Sequence, residues 1–95
     1  MPGSTTSNYY IVYVLESELD NKRYIGFTTD LWKRIKEHNL GKSFSTKPRK
    51  PFGLIYAELC TNLEDARRRE NYLKTTGGRR FLAKRLKSYY VNSIQ

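Results

Sequence analysis

The sequence has one cysteine, Cys60, and no apolar run long enough to cross a membrane as a helix. A single cysteine excludes an internal disulfide and a metal site based on cysteines. A transmembrane helix needs about 18 consecutive apolar residues, so no membrane span is expected. Residues 1–8 lack the basic start and apolar centre of a signal peptide. These absences together predict a cytoplasmic protein.

Acidic residues are scarce after residue 30. Residues 1–30 contain four acidic and two basic side chains, whereas residues 31–95 contain five acidic and 16 basic ones, and the formal net charge is +9. Such a one-sided positive field attracts polyanions. Nucleic acid is therefore the leading candidate partner, and an anionic membrane is the second. Of these we expect DNA, with RNA left open, no membrane and no small-molecule cofactor. The alternative is a soluble protein that is merely basic, and the sequence does not define an oligomeric state.

The alternation of strand-like and helix-like segments predicts one small α+β domain. Three runs are rich in β-branched and aromatic residues, as strands are, and the polar turn at 16–21 makes the first two a hairpin. Helical periodicity follows the second and third runs, which gives the order β-β-α-β-α-α. We expect a flexible tail at 1–8, a single domain at 9–90 and a C-terminal tail at 91–95. The predicted strands are 9–15, 23–28 and 52–60.

Several residues are expected to begin or end the helices. Thr28, Thr29 and Asp30 are candidates for the first N-cap, and Leu40-Gly41 is typical of a helix end. Thr61 and Glu64 have the spacing of a capping box, which predicts the start of the second helix.

The second helix is expected to end at Gly77-Gly78. A single last helix would follow, with an apolar face formed by Phe81, Leu82, Leu86 and Tyr89.

Glu70 is the residue most out of place in this pattern. It lies on the inner stripe of the second helix, between Ala66 and Leu73, where an aliphatic side chain would be expected. An unpaired buried carboxylate is costly, so Glu70 needs a cation partner, either an arginine or a metal ion. A structural salt bridge or a partly exposed position is the alternative.

Four further polar residues are candidates for a common site, because a compact domain can bring them close to Glu70. They are Tyr13, Tyr24, Arg34 and His38. Taken singly, each is more typical of a packed or rim residue. Together they suit phosphodiester hydrolysis: a carboxylate holds a divalent cation, an arginine neutralises phosphoryl charge, and a tyrosine accepts a proton from water. Nearby cations would lower the pKa of that tyrosine.

Gly26 lies inside the second predicted strand. A glycine there often marks a place where another group comes close to the backbone. We expect it to let a phosphate or a water approach the strand.

The motifs that carry these residues resemble the GIY-YIG nuclease family, in particular its small, stand-alone members. The similarity covers about residues 9–74. The matching segments are Ile11-Val12-Tyr13, Tyr24-Ile25-Gly26, Asp30-Leu31-Trp32-Lys33-Arg34, Glu37-His38-Asn39, the basic loop 45–51, and Arg69-Glu70-Asn71. There are two departures: Ile11 replaces the leading glycine of the first motif, and no counterpart is found for an asparagine that some members carry after the glutamate.

The resemblance implies a three-stranded antiparallel sheet flanked by helices and cleavage of DNA with one Mg²⁺ or Mn²⁺. By position, Tyr13 would be the general base and Tyr24 would support the water or the phosphate. Arg34 would stabilise the transition state, His38 would assist in proton handling, and Glu70 would bind the metal.

The predicted function is a metal-dependent DNA endonuclease of low sequence specificity, structure-selective in DNA repair or recombination. The alternative is a non-catalytic nucleic-acid-binding module that retains the fold. Phosphate contacts position a protein without reading sequence, so the basic residues predict weak sequence preference. The expected nucleic-acid contacts are Gly26, Lys33, Lys42, Lys47, Arg49, Lys50, Arg67 and Arg68.

Overall fold

The computed structural model describes residues 9–94, and the predicted tail at 1–8 lies outside them. This part of the chain is an α+β domain with a three-stranded antiparallel sheet, so the predicted fold class is confirmed. A short 3₁₀ turn, Lys47–Arg49, precedes the third strand. The elements are β1 (Tyr10–Ser17), β2 (Arg23–Thr28), α1 (Leu31–Asn39), β3 (Phe52–Cys60), α2 (Leu63–Leu73), α3 (Thr76–Arg85) and α4 (Lys87–Ile94).

β1 is the central strand of the sheet, which has the order β2-β1-β3. Its pairing with β2 and with β3 is antiparallel. Successive side chains of a strand point to opposite faces, so a central strand covered on both sides needs apolar residues at every position. The run from Val12 to Leu15 meets this requirement, since all four side chains are buried.

The two faces of β1 pack against different helices. Val12 and Val14 pack with Leu73 of α2 and Leu82 of α3. Tyr13 and Leu15, on the other face, pack in a cluster that includes residues of α1 and Phe52 of β3. The sheet is therefore covered by α2 and α3 on one face and by α1 on the other.

Helix α2 is capped by Asn62, one residue later than the capping box predicts. The Asn62 side chain accepts hydrogen bonds from the backbone N–H groups of Glu64 and Asp65, at 2.9 and 3.1 Å. An asparagine is at least as good an N-cap as threonine, and here it is the residue with extended backbone before the first turn. At α1 the predicted cap is confirmed, because Asp30 accepts from Lys33 N and Gly41, past the helix end, has φ of +79°.

The prediction that Gly77-Gly78 ends the second helix is wrong. α2 ends at Leu73, and the two glycines lie in the first turn of α3, where Thr75 is the N-cap and accepts from Gly78 N. Glycine is required at 78 by a close approach of backbones. A Cβ at Gly78 would lie 2.2 Å from the carbonyl oxygen of Tyr72.

The predicted last helix is two helices, which meet at Leu86. Leu86 leaves the helical conformation, with φ of −108° and ψ of 28°, and packs against the core. The change of direction lets α4 contact the β1–β2 hairpin: the Tyr89 hydroxyl donates to Glu16, and Arg23 donates to the Tyr90 hydroxyl. α4 continues to Ile94, past the predicted domain end at residue 90.

Between residues 9 and 94, no helix combines the length and the apolar character that a membrane span requires.

We predict opposite outcomes for alanine at the two neighbouring glycines. Gly78→Ala should lower the free energy of unfolding by about 3 kcal/mol, because the methyl group meets backbone atoms that cannot move aside. Gly77→Ala should cause no loss, since its Cβ would be 3.4 Å from the Tyr72 ring, an ordinary contact. Urea denaturation of both variants checks this, and equal losses would contradict it.

Candidate active site

The site begins where Tyr13 of β1 lies opposite Gly26 of β2 in the antiparallel register. Tyr13 is 1% exposed, and its ring lies over the glycine. A Cβ at Gly26 would lie 2.6 Å from the Tyr13 hydroxyl oxygen. The space that the missing side chain leaves is therefore filled by Tyr13, rather than left open for a phosphate or a water.

A chain of hydrogen bonds starts at the Tyr13 hydroxyl. The Tyr13 oxygen is 3.0 Å from Nε2 of His38, and Nδ1 of His38 is 2.8 Å from the Thr46 hydroxyl. The Thr46 hydroxyl in turn donates to the carbonyl oxygen of Ser43, at 3.4 Å. With the Thr46 proton given to Ser43, Thr46 accepts from Nδ1–H and Nε2 accepts the Tyr13 proton. We assign this tautomer to His38 from these contacts.

His38 is fully buried. Burial lowers the pKa of His38 below its ordinary value of 6.5, and the positive charge of Arg34 lowers it further, against an opposing effect of Glu37. A neutral imidazole with a fixed tautomer has one free lone pair, and here that lone pair is directed at Tyr13. His38 is positioned to receive a proton from this one residue.

Thr46 is a member of this chain that the sequence did not indicate. It lies in the basic loop between α1 and β3, eight residues after His38, and it is fully buried. A threonine in a polar loop has no periodicity that would distinguish it from its exposed neighbours. Only the fold of the loop against α1 shows its role.

Burial also raises the pKa of Tyr13, to about 12. The Arg34 guanidinium opposes this rise, whereas the negative charges of Tyr24 (when ionised) and Glu70 add to it. Sequence reasoning expected cations to lower this pKa, but burial outweighs the one arginine that is near. Tyr13 is therefore protonated at neutral pH and donates its hydrogen bond to His38.

Tyr24 and Phe52 hold the His38 ring in place. The Tyr24 and His38 rings meet edge to face, with centroids 4.8 Å apart. Phe52 lies 6.1 Å from His38 and Tyr24 lies 6.3 Å from Tyr13, centroid to centroid. Such tilted aromatic contacts restrict ring rotation, so the direction of the His38 lone pair is maintained.

Arg34 lies at the partly exposed rim of the site. Its Nη1 donates to the Glu37 carboxylate at 3.0 Å, and both side chains are about one third exposed. Arg34 is close enough to influence the pKa values of Tyr13 and His38. The positive charge of Arg34 acts on the buried Tyr13, and its guanidinium is also accessible to solvent. An arginine that binds a phosphate needs such access.

Glu70 approaches from α2, which covers the opposite face of the sheet from α1. Its side chain is 18% exposed and pairs with Lys74, with 3.1 Å between Nζ and the carboxylate. The cation partner of Glu70 is therefore Lys74, which lies one helical turn away, and not an arginine. In the part of the chain that the structure describes, no group of three or more His, Cys, Asp or Glu side chains is arranged to hold a metal ion.

A divalent site here would have Glu70 as its one carboxylate. Mg²⁺ is commonly held by one or two carboxylates together with substrate phosphates and waters, at all-oxygen sites. The donor set therefore fits Mg²⁺ or Mn²⁺, on the condition that the substrate supplies further oxygens and Lys74 moves away.

Most of the predicted nucleic-acid contacts are exposed, but two are held within the fold. Gly26 is buried under Tyr13. Arg49 donates to the carbonyl oxygen of Arg23 at 3.2 Å, lies 3.4 Å from the Asp20 carboxylate and stacks over Phe52, so it holds the loop to the hairpin. Exposed side chains are those of Lys33, Lys42, Lys47, Lys50, Arg67 and Arg68.

Comparison with known proteins matches the same part of the chain. A family model described as "GIY-YIG catalytic domain" matches residues 9–86. UPF0213 protein YazA of Bacillus subtilis is 42% identical over 69 residues, which are 72% of this chain and 69% of that protein. UPF0213 protein SH2523 of Staphylococcus haemolyticus is 40% identical over 67 residues, 70% of this chain and 80% of that protein.

One solved structure shares the fold. The solution NMR structure of UPF0213 protein BH0048 from Bacillus halodurans is 34% identical, with a TM-score of 0.51. The similarity covers 80% of this chain and 83% of that one.

The hydrogen-bond chain predicts the NMR behaviour of His38, which is the one histidine of the sequence and gives unambiguous signals. Nitrogen-15 spectra at neutral pH should show Nδ1 protonated and Nε2 unprotonated. On titration, the pKa of His38 should lie below 6.5. A protonated Nε2, or a pKa at or above 6.5, would contradict the assignment.

The lowered pKa of His38 determines how the stability of the protein changes with pH. Below about pH 6.5 the unfolded chain binds a proton at residue 38 before the folded protein does. The free energy of unfolding should therefore fall as pH decreases through this region, and a His38→Gln variant should lack this component of the slope.

Proposed function

Because the chain belongs to the GIY-YIG nuclease superfamily, we propose that it is a divalent-metal-dependent endonuclease that hydrolyses phosphodiester bonds in DNA. The observation that carries the proposal is the buried chain from Tyr13 through His38 to Thr46, beside Arg34 and Glu70. A protein that only binds nucleic acid has no need of a directed proton path that ends on a buried tyrosine.

Tyr13 acts as the base by passing its own proton on. As the attacking water gives a proton to the Tyr13 oxygen, the Tyr13 proton moves to Nε2 of His38, which accepts it across 3.0 Å. Nδ1–H of the resulting imidazolium remains bonded to Thr46. Because both groups are buried, a separated phenolate would be costly, so the two transfers occur together.

Arg34 and Glu70 act on the phosphate. Arg34 donates to the phosphoryl oxygens, which gain charge in the transition state, and Glu37 keeps its guanidinium oriented until then. Glu70 would hold Mg²⁺ or Mn²⁺. The chemistry supplied by a bound cation would be polarisation of the phosphate and stabilisation of the leaving oxygen.

Low sequence specificity follows from the kind of contact that the exposed cations make. Lysines and arginines of α1, the basic loop and α2 reach phosphates, which carry no sequence information. Binding should weaken steeply with salt, because each neutralised phosphate releases counterions. We propose that selectivity comes from the structure of the DNA, as in repair or recombination intermediates.

A non-catalytic DNA-binding module is the second candidate. The pairing of Glu70 with Lys74 favours it, since this contact satisfies the carboxylate without a metal ion. The two candidates differ in one outcome: the module binds DNA in the presence of Mg²⁺ or Mn²⁺ and leaves it intact.

The proposal predicts metal-dependent cleavage that requires Glu70 and Arg34. Purified protein is incubated with plasmid, branched DNA, single-stranded DNA and RNA, in Mg²⁺, in Mn²⁺ and in EDTA. Glu70→Gln and Arg34→Ala should each lower the cleavage rate at least about 100-fold, the usual effect of removing a group that stabilises charge in the transition state. The rate is followed on gels under single-turnover conditions.

The matched control is Glu64→Gln, which removes an exposed carboxylate from the same helix. It should cleave at the wild-type rate. Cleavage that persists in Glu70→Gln would show a contaminating nuclease and refute the assignment, and DNA binding without cleavage in any metal would support the binding module.

A further inference from the structure

A cleft of about 600 Å³ lies beside the candidate active site, between the β1–β2 turn, β2 and the ends of α2 and α3. Among the described residues, its lining includes four cationic side chains, those of Lys22, Arg23, Lys74 and Arg79, and no acidic one. None of these four is among the nucleic-acid contacts that the sequence predicted.

Three of the four cleft cations have no carboxylate partner among the described residues, and the fourth, Lys74, is paired with Glu70. Within residues 9–94, the Lys22 and Arg79 side chains have no carboxylate at ion-pair distance. Arg23 is held in place by Tyr90, which accepts its hydrogen bond and lies under its guanidinium, so Arg23 keeps its full charge. Like charges around one concave surface repel each other, and such a cleft concentrates the positive field. An anion placed there would relieve this repulsion.

The cleft adjoins the candidate active site at Lys74, which lines the cleft and pairs with Glu70. Tyr24 also borders the cleft, but its ring packs on His38 at the other face of the sheet. An extended ligand that lies in the cleft therefore reaches the Glu70 carboxylate.

The shape and the lining of the cleft favour one class of ligand. Its volume of about 600 Å³ lies within the range of small-molecule sites. A chain of regularly spaced negative charges matches four cations better than a single small anion does.

We propose that this cleft binds the phosphodiester backbone of the substrate strand next to the bond that is cleaved. The proposal rests on the proposed function for the identity of the strand, and it adds Lys22, Arg23, Lys74 and Arg79 as its binding residues. The strand enters over the hairpin turn and passes Lys74 to reach Glu70.

The test compares two double variants that remove the same charge. Lys22→Ala/Arg79→Ala removes the two unpaired cations of the cleft, and Lys84→Ala/Lys87→Ala removes two exposed cations outside it. The dissociation constant for fluorescein-labelled duplex and single-stranded oligonucleotides is measured by anisotropy, in EDTA and across a salt series. Thermal unfolding shows whether each variant is folded.

The cleft variant should bind duplex DNA at least about tenfold more weakly than the control variant at low salt. A plot of the logarithm of the association constant against the logarithm of the salt concentration should also become less steep. Its slope should decrease in magnitude by about 1.8, which is 0.9 for each of two lost phosphate contacts. Equal weakening in both double variants, or an unchanged slope in the cleft variant, would overturn the proposal. If the cleft variant is unfolded, Lys22→Glu against Lys87→Glu provides the same comparison at single exposed positions.

The outcomes separate this proposal from the nuclease assignment, because binding in EDTA involves no cleavage. Cleft-dependent binding without cleavage in any metal refutes the nuclease and keeps the cleft. Normal cleavage with binding that is insensitive to Lys22 and Arg79 refutes the cleft and keeps the nuclease.

Discussion

The hydrogen bond between the Tyr13 hydroxyl and Nε2 of His38 is the interaction on which the site depends. It joins the central strand to α1 in the interior, where a polar group without a partner is costly. Two further features make it possible: Gly26 leaves room for the hydroxyl, and Thr46 holds the other side of the imidazole. The same bond therefore stabilises the fold and, in the proposed mechanism, directs the proton transfer from Tyr13.

The sheet brings the rest of the site to this bond from both of its faces. α1 contributes Arg34 and His38 on the face that carries Tyr13, whereas Glu70 comes from α2, which covers the opposite face. β2 is an edge strand, so groups from the two layers can meet beside it. Tyr24 lies on this strand, between the buried proton path and the basic cleft.

Features that depend on local pattern were predictable from the sequence, and features that depend on tertiary contact were not. The strands and the left-handed Gly41 follow from composition and cap chemistry. Gly78 was misassigned, because a glycine required by a close approach of two backbones looks in sequence like one that ends a helix. Thr46 lies in a loop and the cleft cation Lys22 in a turn. The positions of their side chains depend on how the whole domain packs, so no local pattern predicts them.

The most direct test of this account is a double-mutant cycle on the free energy of unfolding, with Tyr13→Phe and His38→Leu. Each single change leaves a buried polar group without its partner, and the double change removes both groups. We predict that the double variant is more stable than the sum of the two losses implies, by about 1 to 3 kcal/mol. Losses that add to within about 0.5 kcal/mol would show that the two side chains do not share a bond and would contradict the account.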